Sequence, residues 1–242
     1  MSALPEGLVA PGSAPLFPPR LRGEEARPGE DVLDRAAQRA ALGIDPGLIV
    51  WRAGGETVEA AVVLAPEVPL EQAMGAVLAV ANGLGDAIGA LAPPEVAVHF
   101  DWPDGLRVNG ARAGGFRARA STDDPAAEPD WLAIAIRVDL LPPVPPTGDV
   151  ATDATGLYAE GCGEIAAVPL IESWSRHMLV WLNRLEDDGL APVHRDWRAR
   201  AWGMGEDLAA GGTFMGLDEH GGQLVRHKDR TELRPLTTML AR

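Results

Sequence analysis

The sequence predicts an α+β fold in which a mixed β-sheet carries helices and a small β module follows at the C-terminus. Three observations lead to this prediction. Short apolar runs typical of strands alternate with two long segments whose apolar residues recur at helical spacing. After about residue 200, short apolar runs are separated by Gly-rich turns, as in small antiparallel units. The 242 residues suffice for one sizeable domain with an appendage.

The N-terminal half contains an arm, two helices and two strands. Residues 1–30 are rich in Pro, Gly and Ala without periodicity, and we predict an extended arm. The segment EDVLDRAAQRAALG predicts a helix ending at Gly43, and GLIVWR and GETVEAAVVL predict strands. A long helix is predicted over residues 70–91, opened by Pro69. Its buried stripe comprises Met74, Val77, Leu78, Ala81, Ile88 and Leu91.

Three further strands and a second long helix follow. The strands are VAVHFDW, GGFRARA and WLAIAIRVDL, whereas the proline-rich LLPPVPPTGD predicts a loop because proline cannot donate to a ladder. The helix is predicted over residues 169–188, with Gly189 ending it, and both long helices are expected on one face of the sheet. The main domain is assigned to residues 31–200 and the β module to residues 201–242.

Composition limits the possible partners and location. The net charge of −14 and the pI near 4.7 argue against nucleic-acid binding, because phosphates repel such a surface. No run of eighteen apolar residues predicts a membrane span, and no signal peptide is recognised. Cys162 is the sole cysteine, so no internal disulfide can form. We therefore expect a cytoplasmic protein that does not act at a membrane.

The stretch HFDWPDGLRVNGARAGG places two tight turns between short strands. Arg112, flanked by small residues on the second turn, is favoured as a ligand-facing cation, with a surface salt bridge as the alternative. Asp101 and Asp104 are either solvated turn carboxylates or metal ligands, and the sequence leaves both readings open. The histidines do not cluster at metal-ligand spacing, so no metal site is assigned.

This stretch and the order of the elements resemble the biotin/lipoate protein ligases over about 200 residues. In that family a Lys-Trp-Pro-Asn-Asp turn is followed by a hairpin and a Lys-Leu-Ala-Gly turn. LNRLEDDGLAPVHRDWRAR looks like the last helix of the family's catalytic domain, and GTFMGLDEHGGQLV looks like strands of its C-terminal module. The resemblance implies a biotin/lipoate ligase-like mixed sheet with helices packed on it and a small C-terminal SH3-like β-barrel.

The resemblance also implies a reaction. Family members join biotin or lipoate to ATP as an acyl-adenylate and then transfer the acyl group to a lysine of an acceptor domain. ATP and Mg²⁺ would be required only if this chain retains that chemistry, so its cofactors stay unassigned. A small carboxylic acid such as biotin or lipoate is the implied ligand, and an acceptor carrier domain is a possible protein partner.

The chain departs from the family's pattern at several positions. Trp102 and Pro103 match the first turn, but Asp101 stands in place of the lysine and Asp104 in place of the Asn. In the second turn Arg112 replaces the lysine that holds the reacting groups, while Gly115 matches. Arginine keeps the charge but does not give up a proton.

Two further departures concern the walls of the family's adenylate pocket. Only RAGGE stands where the family has an Arg/Gly-rich loop, with Arg52, Gly54 and Gly55 as its remnant, and Arg137 replaces a glycine. We assign Arg112 as the catalytic candidate. The ligand-binding candidates are Arg52, Gly54, Gly55, Trp102, Pro103, Asp104, Gly114, Gly115 and Arg137. Five residues are expected to meet at one concave site: Trp102, Arg112, Gly114, Gly115 and Arg137.

Three functions remain open from the sequence. The favoured one is a divergent relative that binds a carboxylate-bearing acyl ligand or its adenylate, with weak or no ordinary ATP-dependent ligase activity. The second is an active biotin, lipoate or octanoate protein ligase or transferase that uses Arg112 in place of the family lysine. The third is a non-catalytic protein-interaction module.

Overall fold

A computed structural model describes residues 14–143 and 153–240. Its main sheet has seven strands in the order β1-β2-β3-β7-β6-β5-β4, with a parallel pair at β1–β2 and antiparallel pairs elsewhere. The strands are β1 Arg22–Glu25, β2 Leu48–Ala53, β3 Thr57–Leu64, β4 Val98–Asp101, β5 Gly105–Val108, β6 Ala111–Ala120 and β7 Leu132–Asp139. The predicted mixed sheet is thereby confirmed.

Helices cover both faces of this sheet. They are α1 Val32–Ala41, α2 Leu70–Ala73, α3 Ala76–Leu91, α4 Ala167–Asp188 and α5 Leu190–Ala199. Helix α1 packs alone on one face, where its buried side chains meet Val50, Ala61 and Ala135. Helices α3 and α4 pack together on the opposite face, which confirms that the two long helices share one side.

The predicted helix over residues 70–91 is divided in the structure. Helix α2 ends at Ala73, and α3 begins at Ala76. Gly75 lies in the break, where a Cβ would stand 2.8 Å from Leu190 Cδ1, so the interruption sits at a close contact with α5. The most apolar 18-residue window of the segment Leu70–Leu91 has a mean hydropathy of 1.5, which would suit a membrane span, but 78% of that window is buried inside the protein.

Helices α3 and α4 approach closely and share one carboxylate. A Cβ on Gly83 of α3 would lie 2.6 Å from Met178 Cα of α4, so only glycine fits there. One turn along α3, Asp86 accepts a hydrogen bond from Trp181 Nε1 (2.7 Å) and another from Arg200 Nη2 (2.6 Å). The carboxylate therefore ties α3 to α4 and to the chain that follows α5.

The C-terminal module contains the antiparallel strands β8 Thr213–Leu217, β9 Gln223–Arg226 and β10 Thr231–Arg234, followed by a 3₁₀ helix at Leu236–Met239. In the described part of the chain these strands form an open sheet. The expectation of a closed barrel is corrected, because three strands of four or five residues are too few to close. Phe214, Leu217 and Leu236 join the main core.

Two predicted segments lie partly outside the described residues. The N-terminal arm is described only from residue 14, and there Arg22–Glu25 pairs with β2 as an edge strand of the main sheet. The proline-rich stretch LLPPVPPTGD is described only as far as residue 143.

Helix α1 is capped by Asp31, whose carboxylate accepts hydrogen bonds from the backbone N–H groups of Leu33 and Asp34. Arg117 on β6 donates to the other carboxylate oxygen at 2.7 Å. Burial alone would raise the pKa of Asp31, but the Arg117 and backbone hydrogen bonds outweigh it and lower the pKa below its ordinary value. The charged form of Asp31 therefore stabilises the fold.

We predict that Asp31→Ala lowers the free energy of unfolding by about 1 kcal/mol at pH 7, because the helix loses its N-cap. Asp31→Asn retains a capping oxygen and should cost less. Since the folded-state pKa is lowered, the advantage of Asp31 over Asn is fully present above the ordinary carboxyl pKa of about 4 and shrinks as the pH falls below it. Urea unfolding at pH 7 and pH 3 measures both effects.

Asp45→Asn is the control for this prediction. Asp45 is highly exposed, and its carboxylate pairs with Arg22 Nη1 at the long distance of 3.8 Å. Its substitution should therefore change stability little at either pH. An equal loss for Asp45→Asn and Asp31→Ala would contradict the capping role.

Candidate ligand-binding site

The turn predicted at Trp102–Asp104 is confirmed, but the second predicted turn is wrong, because Arg112, Gly114 and Gly115 lie in strand β6, against which the first turn is held. The backbone carbonyl of Asp104 accepts a hydrogen bond from Phe116 N (2.8 Å), and its carboxylate accepts one from Arg112 Nη2 (2.9 Å). A Cβ on Gly115 would collide with that same carbonyl, so the approach requires glycine. Arg112 is thus fixed beside Asp104 and close to the bare backbone of Gly115.

Gly114 has a similar structural explanation. Its φ of +138° favours glycine, and a Cβ there would collide with the carbonyl oxygen of Arg137 on β7. Both glycines are accordingly required by strand packing, whether or not a ligand binds. Their lack of side chains also leaves open space above the sheet.

The backbone of Arg112 is held on its outer side as well. Its N–H donates to Asp153 O (2.6 Å), and its carbonyl accepts from Thr155 N (2.8 Å). Residues 153–155 therefore pair with the start of β6, and Ala154 stands beside the Arg112 backbone. The side chain of Arg112 is held only by its exposed contact with Asp104 among the residues that the structure describes.

A cavity of about 410 Å³ opens above these residues, on the face of the sheet that carries α1. This volume lies within the range of small-molecule sites. Small residues form its floor and three arginines surround it. The lining residues are Asp104, Arg112, Gly114, Gly115, Phe116, Arg117, Ala135, Ile136, Arg137, Asp139, Pro143 and Ala154.

A row of charged residues leads across the sheet to this cavity. Arg52, Glu59, Arg137 and Gly115 stand opposite one another on β2, β3, β7 and β6. Glu59 is only 6% exposed and contacts Arg52 Nη2 directly, with Arg137 Nη1 at 3.7 Å. Asp139 accepts a hydrogen bond from Arg137 Nε at 3.0 Å and forms an ion pair with Arg137 Nη2 at 2.8 Å. These contacts fix Arg137 at the cavity wall.

Glu59 was missed by reasoning from sequence. Its signal was a lone carboxylate within the apolar strand TVEAAVVL, where a buried charge needs a partner. That partner could be identified only once the register placed Arg52 and Arg137 on either side.

Each cavity arginine is paired with a carboxylate of the protein. Arg112 pairs with Asp104, Arg117 with Asp31 and Arg137 with Asp139. The side chain of Asp104 is 47% exposed, against 35% for Asp31 and 9% for Asp139. An incoming anion could therefore displace Asp104 from Arg112 more easily than it could displace the carboxylates of the other two pairs.

The structure brings together Arg112, Gly114, Gly115 and Arg137, but not Trp102. The indole N–H of Trp102 donates to Gly221 O (3.0 Å) in the C-terminal module, and the ring packs against the α3–α4 core. Its expected place in the cavity is corrected, because an apolar ring is better accommodated on the core side of the sheet.

The other candidates lie outside the cavity lining. Pro103 follows Trp102 in the turn, and Arg52 reaches the cavity only through Glu59. Gly54 and Gly55 belong to a tight hairpin between β2 and β3, in which Gly54 N donates to Thr57 O at 2.9 Å.

The carboxylates of the first turn are occupied by arginines. Asp101 accepts from Arg107 at 3.0–3.1 Å, as Asp104 does from Arg112. Among the residues that the structure describes, no group of three or more His, Cys, Asp or Glu side chains could hold a metal ion.

Comparison with known proteins gives one family. The model of the biotin/lipoate A/B protein ligase family matches residues 17–199. A biotin--[acetyl-CoA-carboxylase] ligase of Paracoccus denitrificans is 24% identical over 153 residues, which cover 60% of this chain and 64% of that protein. The alignment thus spans less than two thirds of that relative.

Solved structures share the fold, including those of two proteins. A biotin protein ligase-like protein of unknown function from a Silicibacter species is 49% identical, with a TM-score of 0.89 over 95% of this chain and 100% of its own. The biotin protein ligase of Aquifex aeolicus is 14% identical, with a TM-score of 0.69, and the match covers 91% of this chain and 95% of the ligase. The structure of that ligase in complex with biotin and ATP is 14% identical, with a TM-score of 0.62. The match covers 88% of this chain and 93% of the ligase.

We predict that Glu59→Gln lowers the free energy of unfolding by about 2 kcal/mol, because Arg52 and Arg137 lose the buried anion between them. Asp34→Asn is the matched control, since Asp34 is a half-exposed carboxylate paired with Arg119 at 2.9 Å on the same face. It should cost less than about 0.5 kcal/mol. Chemical denaturation of both variants measures the difference, and equal losses would argue against the buried bridge.

Proposed function

Since this chain belongs to the biotin/lipoate A/B protein ligase family, we propose that its cavity binds a carboxylate-bearing acyl ligand or the corresponding adenylate. We further propose that ordinary ATP-dependent ligation is weak or absent. The observation that carries the proposal is the exposed Arg112–Asp104 pair at the open end of a cavity of ligand size.

A ligand carboxylate can replace Asp104 on Arg112. Both side chains of this pair are nearly half exposed, at 44% and 47%. An ion pair so exposed contributes about 0–1 kcal/mol, so its exchange for a ligand carboxylate costs little. The planar guanidinium can hold the incoming group with two parallel hydrogen bonds. The bare backbone at Gly115 leaves room beside the guanidinium for the acyl chain.

The charge balance of the site argues against strong ATP activation. Arg52, Arg112, Arg117 and Arg137 are matched by Glu59, Asp104, Asp31 and Asp139, so four positive charges meet four negative ones. A triphosphate would add several negative charges to a neutral set. Adenylation depends on cations placed where negative charge develops, and little uncompensated cation is available here.

The hairpin between β2 and β3 also argues against ordinary ATP-dependent ligation. Gly54 and Thr57 close it with a hydrogen bond, and only residues 54–56 separate the two strands. Such a short connection cannot fold over a reactive intermediate. An adenylate bound beside Arg112 would gain no shielding from water from this hairpin, which favours its hydrolysis before transfer.

The similar proteins suggest which ligand to try first. The Aquifex aeolicus ligase has been solved with biotin and ATP. Because this chain shares its fold, biotin is the first ligand for a binding test, followed by lipoate and octanoate.

An active acyl ligase or transferase is the second candidate. Arg112 keeps a positive charge beside Gly115 in the cavity, which would allow it to bind the carbonyl oxygen of an acyl donor that is already activated. An acceptor domain carrying a lysine would then be the protein partner.

We predict that biotin, lipoate or octanoate binds more tightly than its uncharged amide, because only the acid can pair with Arg112. Arg112→Gln should weaken binding of the acid about tenfold, whereas Asp104→Asn should strengthen it about two- to fivefold by removing the competing carboxylate. Arg119→Gln is the control, because Arg119 lies on the same strand outside the cavity lining. Isothermal titration calorimetry measures all four proteins.

The binding proposal fails if no acid binds, if the amides bind as well as the acids, or if Arg112→Gln and Arg119→Gln have equal effects. Ligand-induced stabilisation of the fold gives an independent reading, since a ligand of the native state raises the melting temperature with its concentration.

For the chemistry, we predict pyrophosphate release well below about 1 per second with biotin or lipoate and Mg-ATP, against a reaction without acid. The reason is the neutral cation set and the short hairpin between β2 and β3. A rate at or above this value that Arg112→Gln abolishes would instead establish the active ligase.

A further inference from the structure

A second cavity lies on the opposite side of the sheet. Its volume is about 730 Å³, and it opens where the end of β3, the start of α2–α3 and the junction of α4 with α5 meet. None of its lining residues belongs to the cavity beside Arg112. It is therefore independent of the proposed carboxylate site.

Aliphatic side chains form most of the wall. Leucines come from three elements, with Val68 and Ala76 between them. The leucines are Leu64, Leu182, Leu185 and Leu190. Three of these, Leu64, Leu185 and Leu190, are only partly buried, so they keep apolar surface in contact with water. Covering that surface with an apolar chain would be favourable.

The charge at this cavity is of one sign. Glu67 and Glu186 line it, and no Lys, Arg or His among the described residues does. Both carboxylates are exposed, and within residues 14–143 and 153–240 neither forms an ion pair. This contrasts with the other cavity, where the protein neutralises every arginine itself.

The end of α4 places Glu186 at this cavity. This helix of 22 residues ends at Asp188, and its last turn carries Glu186, Asp187 and Asp188 with no basic residue. The C-terminal end of a helix is itself partly negative, so acidic residues there are unfavourable. The partly positive N-terminal end of α5, which begins at Leu190, follows directly and offsets this effect.

From these features we infer that the second cavity binds a small amphiphile with an apolar chain and a cationic head group. The chain lies against the leucines, and the head group is held by Glu67 and Glu186 at the C-terminal end of α4. An alkylammonium ion has this chemistry. The enclosed volume is within the range of small-molecule sites.

The test is calorimetric titration of the full chain with n-butyl-, n-hexyl- and n-octylammonium. Affinity should rise with chain length, up to about fourfold for each CH₂ that is buried. n-Octanol and n-octyl sulfate, with the same chain but a neutral or anionic head, should bind more weakly than n-octylammonium.

Substitution separates the charge from the apolar wall. Glu67→Gln/Glu186→Gln should lower the affinity for n-octylammonium about fivefold and leave n-octanol unchanged. Asp187→Asn/Asp188→Asn, which removes two charges from the same helix end outside the cavity lining, should have an effect below about twofold.

Three results would overturn the inference: equal binding of n-octanol and n-octylammonium, an equal effect of the two double variants, or no binding of any alkylammonium. If a Leu-Lys-Leu-Lys peptide binds where n-octylammonium does not, the small-ligand assignment is wrong and the surface docks a basic protein segment. Arg112→Gln should leave n-octylammonium binding unchanged, so failure here is distinct from failure at the carboxylate site.

Discussion

The close packing of α3 on α4 is the contact on which the rest of the fold depends. Gly83 allows the two helices to approach, and Asp86 then joins Trp181 of α4 to Arg200. The backbone carbonyl of Arg200 in turn accepts a hydrogen bond from Phe100 N (2.8 Å) on β4. The turn after β4 carries Asp104, which holds Arg112. A chain of direct contacts therefore runs from the helical core to the cavity on the far face of the sheet.

The charged groups of the two cavities differ, since they are paired within the protein at one cavity and unpaired among the described residues at the other. The net charge of the protein is −14. Beside Arg112, the protein supplies its own carboxylate to every arginine, so a ligand must compete with an internal partner. At the α4–α5 junction, carboxylates are left unpaired among the described residues. The first arrangement selects for an anion that binds better than an exposed aspartate, and the second attracts a cation without competition.

The sequence predicts local structure well because helices and strands depend on patterns within the chain. The apolar stripe of α4 and the ending at Gly189 are examples. The resemblance in the DWPDG turn and in the RAGG stretch at residues 112–115 led to the family and to Arg112, although that stretch proved to be part of β6 and not a turn. Three features depend on contacts between distant segments: the position of Glu59 between two arginines, the orientation of the Trp102 ring toward the core, and the break at Gly75. No local pattern encodes those contacts, so sequence reasoning could not find them.

The restraint on the Arg112 backbone has a kinetic consequence. Asp104 accepts a backbone hydrogen bond from Phe116 of β6, and residues 153–155 form two with Arg112, so the main chain of this part of β6 is restrained at both positions. Exchange of Asp104 for a ligand carboxylate then requires only rotation of exposed side chains, which takes place in picoseconds to nanoseconds. The rate of association is accordingly set by diffusion to the cavity mouth, and residence time alone distinguishes a good ligand from a poor one.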